Sequence, residues 1–152
     1  MNTLDIRSIA MEVFQEIRSA FPNLRADLQQ DDPHVDLDMD IPRQPGLEFR
    51  LNLNLQGDEL HLSVNGAFWV EWFPCTKPEV ARDYAEAVKG LLSGQFRIVE
   101  FLQGGRPVKA ILQRPTGEGW PVVARWSELH LPLPWSRTQR VLQNRTAVWG
   151  VP

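Results

Sequence analysis

The chain of 152 residues has a single cysteine, Cys75, so no internal disulfide can form and nothing ties the protein to an oxidising compartment. It has no apolar run of membrane-spanning length. Its first residues mix Asp5, Arg7 and Glu12 with apolar side chains, unlike a signal peptide. The expectation is a soluble, cytoplasmic protein with no membrane partner. Glycine-rich phosphate loops, nucleophile elbows and cysteine or histidine pairs at metal-binding spacing are also missing, which removes the common signatures of nucleotide, acyl-transfer and zinc chemistry. No catalytic residue, cofactor or metal is expected. The net charge of −3 lacks the basic surplus of a nucleic-acid binder. Arg137, Arg140 and Arg145 beside Trp135 and Trp149 form no known module, so no nucleic-acid partner is expected either.

What the chain does have is order between Leu47 and Phe73. Leu47, Phe49, Leu51, Leu53 and Leu55 alternate with Glu48, Arg50, Asn52 and Asn54, the period of a half-buried strand. A second run sets Leu60, Leu62 and Val64 against His61, Ser63 and Asn65. A third sets Phe68, Val70 and Trp72 against Trp69, Glu71 and Phe73. A two-residue turn at Gly57 and Asp58 pairs Leu55 with Leu60, Leu53 with Leu62 and Leu51 with Val64. At the next corner a three-residue loop through Ala67 puts Leu60 opposite Trp72, whereas a two-residue loop would set it opposite Glu71 and mix the faces. The prediction is a three-stranded antiparallel meander with one leucine face.

Around it, Ile6, Ile9, Ala10, Val13, Ile17 and Ala20 recur at helical spacing after Asn2 or Thr3, and Pro22 ends that helix. Leu24 to Gln29 and Val35 to Ile41 alternate as a further hairpin. Thr76, Lys77, Pro78 and Glu79 spell a capping box, Val80, Tyr84, Ala87, Val88 and Leu91 make a second helical stripe, and Gly94 is its left-handed stop. Phe96 to Gln103 and Arg106 to Gln113 flank Gly104 and Gly105. A simple two-residue turn there pairs Phe101 with Val108 and Val99 with Ala110 on one face, and Ile98 with Ile111 and Glu100 with Lys109 on the other. Trp120 to Trp126 reads as a last strand, Ser136 to Arg145 as a short helix opened by Ser136 and Gln139, and residues 146–152 as a tail. Residues 1–145 are thus one α+β domain in two layers: helix, strand meander, helix, strand meander, short helix, with the helices covering the leucine face of an antiparallel sheet.

The polar side of the meander collects the candidate site: Arg50, Asn52, Asn54, His61, Trp69, Glu71 and Phe73. His61 falls between Asn54 and Glu71, and a carboxylate beside an imidazole is the pairing that general acid or base catalysis uses. Cross-strand His and Glu pairs also serve stability alone. As a binding surface the face is better motivated, because Trp69 and Phe73 would otherwise be exposed apolar area with nothing to cover it. Asp32, His34, Asp36, Asp38 and Asp40 recur at every second residue, but an extended strand spreads carboxylates along a line, and Ile41 replaces the glycine a calcium loop needs. An acidic edge that discourages strand-to-strand aggregation is the reading adopted, with a contact patch for a basic partner as the alternative. Cys75 has no base at recognisable spacing and reads as structural.

Charge divides the chain. Residues 1–75 carry 13 acidic and 5 basic side chains, and residues 76–152 carry 6 acidic and 11 basic. The halves either face each other within the fold or across a head-to-tail dimer, or one of them meets a charged partner. The run "EFRLNLNLQGDELHLSV", the helix "TKPEVARDYAEAV" and the hairpin "FRIVEFLQGGRPVKAIL" give an element order that resembles type III secretion chaperones and the similar YbjN family, over roughly residues 3 to 145. The segment from Trp120 to Trp149 departs from that pattern. The resemblance implies a small acidic dimer that binds a protein segment. The expected function is a non-enzymatic protein-binding module, chaperone-like or of the immunity or inhibitor kind. The alternative is a small-molecule-binding or hydrolytic domain using His61 and Glu71.

Overall fold

The computed structural model describes residues 3–128 and 138–145. Helix α1 (Thr3–Ala20) is followed by β1 (Asp27–Gln29), β2 (Leu37–Ile41), β3 (Leu51–Gln56), β4 (Glu59–Val64) and β5 (Phe68–Trp72). Helix α2 (Pro78–Ser93) then leads to β6 (Arg97–Gln103), β7 (Arg106–Gln113), β8 (Val122–Ser127) and β9 (Thr138–Leu142). The α+β class holds, but the strands form two antiparallel sheets where one was expected: β1-β2-β3-β4-β5 and β8-β7-β6-β9.

In the first sheet the leucine alternation decides everything. Leu51 pairs with Val64, Leu53 with Leu62 and Leu55 with Leu60, and beyond the three-residue loop Leu60 pairs with Trp72 and Leu62 with Val70. The hairpin before it also forms, with Leu28 opposite Met39 and Met39 opposite Leu53. Only Leu47 and Phe49 leave the ladder. They stay buried in the core, while the strand proper begins at Leu51. Both helices lie on this face. From α1 come Ala10, Val13, Phe14 and Ile17, with Phe14 an addition to the predicted stripe and Ala20 exposed at the helix end. From α2 come Tyr84, Ala87, Val88 and Leu91. Ile98, Ala110 and Leu112 of the second sheet join the same apolar core.

The start of α2 differs from the predicted capping box. Lys77 is the cap residue, extended at φ −83° and ψ 121°, with no side-chain hydrogen bond, and Pro78 is the first helical residue. A proline forces the residue before it out of the helical region, so the boundary falls at Lys77 and Thr76 lies one residue too early to cap. Gly94 does end the helix, at φ 79°, its N–H donating to the Leu91 carbonyl.

Two predictions in the second half fail. The β6–β7 hairpin turns at Gly104 and Gly105, but a bulge between Phe101 and Leu102 shifts the pairing, so that Ile98 faces Leu112, Val99 faces Ile111 and Glu100 faces Ala110. Thr138 to Leu142, predicted as helix, is strand β9, with Leu142 opposite Ile98 and Arg140 opposite Glu100. A helix of about ten residues has little stability of its own. Pairing instead satisfies the open edge of β6 and brings a cation to buried Glu100. After β9, Gln143 Nε2 donates to the Gly94 carbonyl (2.8 Å) and Asn144 Nδ2 to the Leu92 carbonyl (2.7 Å), which satisfies acceptors that the end of α2 leaves open. Ser136 and the predicted tail, residues 146–152, lie outside the described residues.

Candidate functional site

The face of the first sheet opposite the leucines carries a continuous chain of side-chain hydrogen bonds. Residues two apart on a strand share a face, so Asn52, Asn54 and Gln56 of β3 stand in one row. Gln56 Nε2 donates to Asn54 Oδ1 (3.0 Å), Asn54 Nδ2 to Asn52 Oδ1 (2.9 Å) and Asn52 Nδ2 to Asp38 Oδ1 (2.9 Å). Three amide dipoles therefore align and end on a carboxylate, an arrangement in which each bond polarises the next.

The row continues through His61. The Trp69 indole N–H donates to His61 Nδ1 at 3.2 Å, the Gln56 amide approaches the same nitrogen at 3.3 Å, and His61 Nε2 lies 2.8 Å from Glu59 Oε2. An indole can only donate, so Nδ1 accepts and the ring proton sits on Nε2, facing Glu59. The Trp69 and His61 rings meet edge to face, 5.0 Å between centroids. Beneath the sheet, the Tyr84 hydroxyl donates to the His61 carbonyl at 2.7 Å, and burial pushes the Tyr84 phenol pKa well up.

These contacts correct the expectation for His61. It stands on the polar face but is only 2% exposed, with both ring nitrogens engaged. Glu71 is its cross-strand neighbour, as the register requires, yet is exposed, and the carboxylate that holds the ring is Glu59. The signal for Glu59 was in the sequence: it precedes His61 by two residues on one strand. A base in catalysis needs an accessible lone pair, and this imidazole offers none.

The seven candidate residues do not converge on one point. Asn52, Asn54, His61 and Trp69 belong to the hydrogen-bonded row. Trp69 is 46% exposed and Phe73, at the end where Gln56 pairs with Glu59, is 59% exposed. Arg50 is at the opposite end, where its guanidinium holds Asp40 (Nε to Oδ1, 2.9 Å) and its backbone N–H donates to Asn65 Oδ1. A cleft of about 870 Å³ opens at that end, lined by Arg50, Asn52, Ser63 and Asn65 and, from the second sheet, Glu100 and Arg140. His61 does not line it.

The aspartate row does not gather. Asp32 accepts from the His34 N–H, Asp36 from the Gly57 N–H, Asp38 from Asn52, and Asp40 pairs with Arg50. Among the described residues no three His, Cys, Asp or Glu side chains are placed to hold one metal ion. Cys75 is buried, and burial first, then the nearby Asp58 charge, raises its thiol pKa, which keeps it protonated and unreactive. No helix among the described residues is long and apolar enough to cross a membrane. Comparison of the chain with protein-family models, with characterised proteins and with solved structures finds no match, so the reading of the site rests on its geometry.

Proposed function

We propose that this chain is a non-enzymatic, protein-binding module of the cytoplasm, chaperone-like or inhibitor-like, whose contact surface is the polar face of the first sheet with Trp69 and Phe73 as its apolar anchors. The observation that carries this reading is the combination of a large exposed ring with neighbours that are already fixed. Trp69 keeps its indole N–H on His61 while nearly half of its surface meets solvent. Ordering side chains is one of the main costs of association, and here that cost is met before any partner arrives. An aromatic ring among preorganised polar groups is the makeup of an interface hot spot. The alternative, hydrolysis through His61 and Glu71, loses support because His61 is enclosed and its ring nitrogens are engaged by Trp69, Gln56 and Glu59 rather than by Glu71. We further propose that the chain is a homodimer, on the strength of its divided charge.

The test is a photo-crosslinking amino acid in place of Phe73, introduced in the cells that make the protein. The expected result is one predominant protein adduct. Trp69→Ala should weaken the purified complex by about 2 kcal/mol or more, while the folded state loses only the indole's contacts with His61, about 1–3 kcal/mol, and stays folded. A complex that tolerates Trp69→Ala, or a variant that unfolds, overturns the assignment of this face.

A further inference from the structure

The cleft at the Arg50 end is built from donors. Arg50 presents Nε and Nη2 to one oxygen of Asp40, both at 2.9 Å, and Arg140 presents Nε and Nη2 to one oxygen of Glu100 at 2.7 and 2.6 Å. Each carboxylate thus fixes one edge of a guanidinium and leaves the Nη1 side for something else. Glu100 is 1% exposed, so Arg140 is anchored from within the protein. Among the described residues, the Arg43 guanidinium, the Ser63 hydroxyl and the Asn65 amide nitrogen in the same lining have no side-chain partner. The two ion pairs nearly cancel, and Arg43 leaves the lining net positive. Pro42, Pro107 and Ala67 supply apolar wall. The volume of about 870 Å³ lies within the range of small-molecule sites, roughly 300 to 1,000 Å³.

We infer that this cleft binds a small organic oxyanion: a carboxylate or phosphate held by Arg43, Arg50, Arg140 and Ser63, on a compact apolar body that rests against the two prolines. The cleft adjoins the Trp69 face, sharing Asn52 with its hydrogen-bonded row and with Ser63 opposite Trp69 across the strands, but neither Trp69 nor Phe73 lines it, so the inference does not depend on their role. Donors that line one cleft, two of them already held by carboxylates, leave an anion as the complementary ligand.

Calorimetric titration of the intact chain at low salt with phenyl phosphate, benzoate and inorganic phosphate tests the assignment. Saturable binding of phenyl phosphate or benzoate is expected, tighter than that of inorganic phosphate because of the apolar walls, and the better of the two organic anions identifies the head group. Arg43→Ala and Arg50→Ala, each checked for an unchanged melting temperature, should weaken it about tenfold or more, the effect of losing a charge-assisted hydrogen bond. Phe73→Ala, at the far end of the same sheet face, should leave it unchanged. The inference is overturned if neither organic anion saturates at millimolar concentration, if inorganic phosphate binds as tightly, or if either arginine substitution has no effect.

Discussion

His61 sits on the outward side of a sheet and is still buried, because burial at a given residue depends on the size of its neighbours as well as on its face. The alternation of β4 places the imidazole opposite the leucines correctly, but the indole of Trp69 and the side chains of Gln56 and Glu59 then close over it. Sequence period reports direction and not what leans across. Gly90 is a second residue whose meaning lies in a neighbour far from its own helix stripe. A Cβ there would come within 2.4 Å of the Phe96 ring, whose backbone N–H also donates to the Gly90 carbonyl at 2.9 Å. Alanine normally gains about 1 kcal/mol over glycine inside a helix. Here the Phe96 ring, packed against the core, must shift to make room, and overpacking of about 1–3 kcal/mol offsets or exceeds that gain. Gly90→Ala is expected to lower stability, by up to about 2 kcal/mol in denaturant titration. A stabilised variant would mean that Phe96 moves at no cost.

Elements were legible where two independent constraints agreed. In β3, β4 and β5 the leucine alternation and the turn lengths select one register, and that register forms. In the β6–β7 hairpin the turn was right, but the bulge next to Phe101 has no local signal and moves Val99 and Ile98 to other partners. Strand β9 was read as helix because its weak capping pattern is local, whereas the open edge of β6 and the buried charge of Glu100 are not visible within ten residues of sequence. The cap of α2 offers a direct test of the boundary that Pro78 imposes. Lys77, and not Thr76, holds the cap position and makes no side-chain bond. Lys77→Asp should accept from the Glu79 N–H, since those of Val80 and Ala81 already donate to the Lys77 carbonyl, and complement the helix dipole, raising stability by about 0.5–2 kcal/mol. Thr76→Ala should be nearly neutral in the same thermal or denaturant measurement. The reverse pattern would place the cap at Thr76.

For the whole molecule the open question is where the divided charge goes. Ion pairs between the halves would let the acidic residues 1–75 and the basic residues 76–152 neutralise each other inside one chain. Lys89 with Glu16, which ties α2 to α1, is such a pair. Arg50 with Asp40 stays within the acidic half, and Arg106 with Glu128 and Arg140 with Glu100 within the basic half. Of these four pairs among the described residues one joins the halves, so most of the opposed charge there is not matched by ion pairs between them. In a two-fold dimer the acidic surface of one copy can meet the basic surface of the other twice, which closes the assembly and leaves no unpaired end to extend. Such contacts act over the Debye length, about 10 Å at 0.1 M salt and about 3 Å at 1 M, so they weaken as salt rises. Light scattering behind a sizing column at low salt should give twice the chain mass of 17.4 kDa, with the weight-average mass falling toward one chain as salt approaches about 1 M. If mass is unaffected by salt, apolar contacts hold the dimer and the charge argument fails. If the chain is a monomer at low salt and high micromolar concentration, the dimer itself is wrong, and the opposed charges belong to an encounter with a different partner.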